Sequence, residues 1–269
     1  MSRVEARGVE LAWEARGKGV EVVLVHETGV DRAAWRGVAG AIEAQGGRAI
    51  LYDRRGWGAS TAPDDYRRTT VEEQSEDMSE LIVGAASGED AVVAGAGLGA
   101  LVCLDLLLRR PQQIAGAVLV EAHVPGLVPE ATEALSKDRE AIAKEVHEGG
   151  VAAIVELYLS GRLRGLAPGA ERVPEPLARP ARERPSTLVA ELGAAAVWAM
   201  PLAKLGEAAR PVALLQSTDT PPLARAAAKA LTARLPDARP QQVGGQRPPH
   251  LGAEQAVAGA AIAVAGEAR

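Results

Sequence analysis

The sequence predicts an α/β fold, a mostly parallel and doubly wound sheet carrying an inserted helical segment. Three observations lead there. Short β-rich apolar runs alternate with helical patterns along most of the chain, the signature of a sheet with helices on its faces. The central runs are nearly continuous in apolar residues, as in strands buried on both faces. Residues 124–207 break the alternation with helical patterns alone. The 269 residues, 47% of them hydrophobic, suffice for one large core.

Taken in order, strands are expected at 9–14 (VELAWE), 21–25 (EVVLV), 48–52 (RAILY), 91–94 (AVVA), 115–120 (AGAVLV), 211–216 (PVALLQ) and 239–243 (RPQQV). Thr70-Val71-Glu72-Glu73 is a capping-box pattern that opens a helix running to about Gly84. A second helix, LGALVCLDLLLRR, runs until Pro111 stops it. Pro221 and Pro222 open a helix over 221–235, where a residue without an N–H costs nothing, and the last helix begins near Gly252. Inside 124–207 the pattern predicts helices over 130–147 and 150–160, a Pro- and Arg-rich loop from Pro168 to Pro185, and a third helix from Ser186 onward. The expected organisation is therefore a core made of 1–123 and 208–269, with 124–207 inserted into it as a helical lid.

Composition excludes several classes. A net charge of −5, with Lys and Arg scattered, offers no basic face for nucleic acid. The lone Cys103 allows no internal disulfide and fits a reducing compartment. The charged N-terminal stretch lacks the apolar core of a secretory signal, and no apolar run reaches the roughly 20 residues that span a bilayer. A cytoplasmic protein without membrane partners is expected. The four histidines, at 26, 123, 147 and 250, show no metal-ligand spacing, and GAGLGA lacks the G-x-G-x-x-G of a dinucleotide site. No metal and no cofactor are expected, and the sequence is silent on oligomeric state.

Five landmarks fall in one order: VLVHETG at 23–29, YDRRGWGAST at 52–61, GAGLG at 95–99, LLQSTDTPP at 214–222 and VGGQRPPHLGAE at 243–254. Jointly they resemble the α/β-hydrolase fold, with the lidded chloroperoxidase-like and carbon–carbon bond hydrolase branches as nearest relatives. GAGLG has the G-x-S-x-G shape of a nucleophile elbow with Gly97 where the serine stands. A glycine has no side chain to attack a carbonyl.

The resemblance implies roles for the matching positions. Leu98 and a group at Glu27 or Thr28 would supply oxyanion-hole N–H donors. His250 would be the histidine of the last loop and Asp219 its orienting acid. Two departures stand out. Glu27 replaces the glycine usual after His26, and Pro248 holds the place two residues after Gln246 where relatives put their histidine. Glu121 and His123 follow the strand at 115–120, at the sheet edge where open α/β sheets bind ligands. His26, Trp57 and Trp198 are further candidates to line a small-molecule pocket. Each has a plainer reading: a glycine turn at 97, a turn aspartate at 219, a loop histidine facing water at 250, ordinary packing for the tryptophans. Cys103 lies six residues past Gly97, roughly 600° of helical rotation, and is read as core.

Three functions remain open on this reading. One is an enzyme of this superfamily acting on a small, largely apolar molecule by general acid–base chemistry without a covalent serine: a cyclase, lyase, isomerase or direct-water hydrolase. The second is a non-catalytic ligand-binding pseudoenzyme. The third is an ordinary serine hydrolase with an engineered Ser-to-Gly change at 97.

Overall fold

The structure, a computed structural model, describes residues 1–86, 91–245 and 248–267. Eight strands form one sheet in the order β1-β2-β4-β3-β5-β6-β7-β8. They are β1 (Ser2–Ala6), β2 (Val9–Gly17), β3 (Glu21–Val25), β4 (Arg48–Tyr52), β5 (Val92–Ala96), β6 (Gly116–Val120), β7 (Val212–Ser217) and β8 (Ala238–Val243). β1 and β2 pair antiparallel at one edge, β2 joins β4 antiparallel, and β4 through β8 pair in parallel. This is the sheet class the sequence predicts. Every residue of β3, β5 and β6 is buried, which is why these runs read as unbroken apolar stretches. β1 is the strand sequence reasoning misses: a short edge strand, SRVEA, in which only Ala6 is fully buried and no apolar run forms.

Helices α1 (Arg36–Ala44) and α11 (Glu254–Glu267) bury their apolar sides with one face of the sheet. α2 (Val71–Ala85), α3 (Leu98–Arg109) and α9 (Pro222–Thr232) do so on the other face. The capping box forms as read: the Thr70 hydroxyl accepts the Glu73 N–H at 3.1 Å. Between β6 and β7 the described elements are all helical: α4 (Ala131–Leu159), α5 (Glu175–Glu183), α6 (Pro185–Leu192), α7 (Ala194–Val197) and α8 (Leu202–Leu205), with short 3-10 turns. The two helices expected at 130–147 and 150–160 are the halves of α4, which breaks at Gly150 (φ 66°, ψ −154°). The Pro- and Arg-rich stretch is not a plain loop. It holds α5, because Pro176 falls in the first turn, where no N–H is needed, and Pro180 is tolerated late in a short helix.

Register sets the position of the site. Val25 pairs with Gly95, and Ala96 pairs with Val120, so β3, β5 and β6 end nearly level. His26-Glu27, Gly97 and Glu121 therefore emerge side by side at the carboxyl edge. Among the described residues no helix is long and apolar enough to cross a membrane.

Candidate functional site

The turn from β5 into α3 is a strained elbow. Gly97 caps α3 at φ 52° and ψ −121°, a conformation that side-chain-bearing residues rarely adopt. A Cβ built on Gly99 would lie 2.3 Å from the Val25 carbonyl oxygen, so the helix comes down on β3 only because position 99 is glycine. A Cβ built on Gly97 would lie 2.9 Å from Glu27 Cβ and 3.4 Å from Glu27 Oε2. The Glu27 side chain thus fills the space in which a residue with a side chain at 97 would stand.

A small cavity opens above this turn. Glu27, Thr28, Gly97, Leu98, Glu121, His123 and His250 line it, together with residues of α4, α6 and the 166–170 segment. Leu98 is the first residue of α3, where N–H groups find no acceptor within the helix. Among the described lining residues none is Lys or Arg.

His250 reaches this cavity. It sits on the short helix α10 (Pro249–Gly252), opened by Pro248, and its ring is fully buried. Gln246, from which the spacing to His250 is counted, lies outside the described residues. The imidazole stacks on Trp35, ring centroids 4.8 Å apart and planes at 28°. Its Nε2 lies 3.3 Å from Glu27 Oε1, close enough to share a proton but not aligned as a hydrogen bond. Such near-misses are common in catalytic pairs without bound ligand. One carboxylate oxygen therefore faces the imidazole while the other faces the place of a side chain at 97.

Asp219 does not join this pair. It is exposed in the turn after β7, whereas both ring nitrogens of His250 lack a hydrogen-bond partner. The Thr218-Asp219 turn points outward because Thr220 and Ser217, not Asp219, bond inward to Glu121. The Glu121 carboxylate accepts from Ser217 Oγ at 2.8 Å, Thr220 Oγ1 at 2.7 Å and Arg172 Nη1 at 2.5 Å. Glu121 itself has φ 46°, an uncommon angle for a non-glycine residue, at the mouth of the site.

The loop carrying Glu27 is clamped on every side. His26 Nε2 accepts the Arg54 backbone N–H at 2.9 Å, so its proton is on Nδ1, which donates to the Glu27 carbonyl at 2.8 Å. Arg54 Nε donates to the His26 carbonyl at 2.8 Å. The Arg54 guanidinium forms a two-pronged pair with Glu191 of α6 at 2.5 and 3.0 Å, both residues almost fully buried. Glu191 also accepts from the Thr28 hydroxyl at 2.9 Å, and the Tyr158 hydroxyl of α4 donates to the Thr28 carbonyl at 2.6 Å. The helical insertion therefore holds the loop in place through two side chains.

His26 is consequently a scaffold residue outside the cavity lining, a correction to its expected place in the pocket: both ring nitrogens are engaged by backbone. Trp57 is likewise displaced. It is fully buried among Ile154, Leu157 and Leu188 of the insertion because its turn tucks beneath α4 and α6. Trp198 also stands away from the cavity, its Nε1 donating to Asp105 at 2.8 Å behind α3. Cys103 is a core residue, and burial pushes its thiol up. Among the described residues no group of three or more His, Cys, Asp or Glu could hold a metal ion.

Burial holds His26 well below the usual imidazole range, with the Arg54 charge acting in the same direction, and burial also lowers His123. A folded pKa below the unfolded one means that the unfolded chain takes up the proton first. The stability these rings contribute is therefore complete above about pH 6.5 and lost as pH falls below it, at about 1.4 kcal/mol per pH unit for each ring that stays neutral. The imidazole carbon resonances of both should titrate at a lower pH than those of a free histidine. Titration of either ring near its ordinary value would refute the assignment.

Sequence reasoning misses Tyr158, Glu191 and Arg172 as neighbours of the site. Glu191 carries a signal, a single acid in the otherwise apolar end of PSTLVAEL, but its partner Arg54 lies 137 positions away. Nothing local identifies it.

Comparison with known proteins bears on the family. Over 111 residues the chain is 31% identical to an uncharacterized hydrolase of Bacillus subtilis, covering 41% of this chain and 40% of that protein. It is 34% identical over 107 residues to a probable esterase of Oryza sativa, covering 40% of each. The chain thus matches about two fifths of the length of these relatives. A thermophilic esterase from Thermogutta terrifontis superposes over 99% of this chain and 98% of its own, with a TM-score of 0.78 at 20% identity, and shares the fold. The model of the Alpha/beta hydrolase family matches residues 22–261. That span takes in the parallel strands, the elbow and His250, and the chain belongs to the alpha/beta hydrolase family.

Proposed function

We propose that this protein is a cofactor-independent enzyme that hydrolyses a small, largely apolar molecule by direct attack of water, with Glu27 and His250 as its acid–base pair and no covalent serine. The observation that carries this reading is the position of one carboxylate, 3.3 Å from the imidazole on one side and filling the place above Gly97 on the other. Of the reactions open to such a site, among them cyclisation, elimination and isomerisation, hydrolysis is favoured by the names of the relatives. The helices of 124–207 act as the lid over the cavity.

In the proposed step Glu27 takes a proton from water as the water oxygen bonds to the carbonyl carbon. The carbonyl oxygen becomes an oxyanion facing the Leu98 N–H and the backbone of the Glu27-Thr28 loop. As the bond to the leaving group breaks, that same proton passes to it from Glu27, directly or relayed through His250 Nε2, 3.3 Å away. General acid–base groups contribute about 10²- to 10⁴-fold and an oxyanion donor about 10²- to 10³-fold, enough without an acyl-enzyme. The pseudoenzyme reading loses its main support, since His250 lines the cavity and does not face water. A lone engineered Ser-to-Gly change is disfavoured by the Glu27 Cβ, which leaves no room for the serine it presumes.

The test is turnover of a panel of neutral esters, lactones and carbamates, followed by proton release. Glu27→Gln, which keeps the shape and loses the charge, should lower kcat by roughly 10²-fold or more. His250→Ala should do the same, and mass spectrometry during turnover should find no acyl adduct. Full activity in Glu27→Gln, or a covalent adduct on the native protein, would sink the proposal.

A further inference from the structure

The polar groups lining the cavity divide into those already committed within the protein and those left over. The Thr28 hydroxyl donates to Glu191 and the Tyr158 hydroxyl to the Thr28 carbonyl. Glu191 is neutralised by Arg54 and Glu121 by Arg172. What remains without a partner, besides the His250 ring, is Glu27 Oε1 and His123 Nδ1. His123 is 5% exposed, and its Nε2 lies 2.6 Å from the Gly165 carbonyl. A carbonyl only accepts, so the ring proton is on Nε2 and Nδ1 is a bare lone pair. The Gly165 segment is itself fixed, since Asp138 Oδ2 accepts the N–H groups of Gly165 and Leu166, each at 2.7 Å. The tautomer is thus set by the fold, and burial keeps the ring neutral.

We propose that the cavity takes a neutral molecule bearing a hydrogen-bond donor, a hydroxyl, enol or amide N–H, which His123 Nδ1 receives. His123 is then a specificity-determining residue for the site whose chemistry was assigned to Glu27 and His250, and the substrate class rests on that assignment. A ligand lacking the donor leaves this buried lone pair unpaired and binds about tenfold or more weakly. Carboxylates are rejected for a second reason: no lysine or arginine lines the cavity among the described residues, and a third carboxylate, Glu27, without an arginine partner, does.

Binding measured by calorimetry, without turnover, separates this inference from the hydrolytic one. The probes are para-ethylphenol, its methyl ether, and para-ethylbenzoate, together with the corresponding aliphatic alcohol, ether and acid. The donor-bearing member of each set should bind about tenfold or more tightly than its ether, with the carboxylate weakest. Two variants distinguish the lone pair from mere packing. His123→Gln puts an amide N–H near Nε2, keeping the Gly165 bond and removing the acceptor; it should bind alcohol and ether alike. His123→Asn keeps an acceptor near Nδ1 and loses the Gly165 bond; it should retain the preference despite a lower Tm. The proposal is overturned if no donor-bearing probe is preferred by the native protein, or if the preference survives in His123→Gln. Glu27→Gln should leave the alcohol-to-ether preference in place, so loss of turnover there and loss of selectivity at His123 are read independently.

Discussion

Replacing Gly97 by serine and Glu27 by glycine together should create an ester hydrolase that forms an acyl-enzyme, whereas Gly97→Ser alone should not. The single variant must place a Cβ 2.9 Å from Glu27 Cβ, at a backbone φ of 52°. Overpacking of that kind costs about 1–3 kcal/mol, and a side chain in the left-handed region adds roughly 1–2 kcal/mol. The Glu27 carboxylate also stands between the new hydroxyl and His250, so the imidazole cannot take the serine proton. Removing it opens the line from position 97 to Nε2 and restores the residue usual after the histidine of this loop. Cleavage of para-nitrophenyl acetate by the double variant should exceed that of Gly97→Ser by on the order of 10²-fold. A burst of para-nitrophenol and an acetyl adduct should accompany it. Equal rates in single and double variants would show that Glu27 does not occupy the nucleophile's place.

How much of this was readable beforehand follows from where the determining contacts lie. β3, β5 and β6 are legible because each is a local apolar run, and the elbow is legible because its glycines sit at fixed offsets. Helix breaks at Gly150 and Pro111 are local too. The partner of His250 is not local. Asp219 is the only carboxylate in the loop after β7, so sequence order points to it, yet Ser217 and Thr220 turn inward to Glu121 and leave Asp219 outside. Glu27 stands out in the sequence by its residue type, but only the approach of α10 to the loop after β3 brings its carboxylate to the imidazole. Trp57 and Trp198 show the same limit from the other side: an aromatic near a site in the sequence packs away from it when its turn lies beneath the insertion or behind α3.

Glu191→Ala should be the most destabilising single substitution near the site, at about 3–5 kcal/mol, because it strands the buried Arg54 charge. Arg54 is 1% exposed and the Glu191 side chain fully enclosed, so water cannot replace the lost partner. The Thr28 hydroxyl and Gln74 Nε2, 3.1 Å from Glu191 Oε1, lose their acceptor as well. Set against a total stability of about 5–15 kcal/mol, the loss is severe. Urea denaturation measures it, and the Arg54→Met/Glu191→Leu pair should recover most of the difference by removing both charges. A change below about 1 kcal/mol for Glu191→Ala, the scale of an exposed pair, would mean that the pair is hydrated in solution.

That same pair also decides how molecules come and go. A covering segment that lifts away as one piece would have to draw Glu191 off Arg54, exposing two charges and freeing the loop that carries Glu27, so each opening would dismantle the machinery it uncovers. The 166–170 stretch is held without a buried ion pair: Asp138 of the insertion accepts the Gly165 and Leu166 N–H groups, and His123, just past β6, donates to the Gly165 carbonyl. An opening confined to that stretch would leave the floor of the cavity assembled, with Glu27 and His250 in place before a molecule enters.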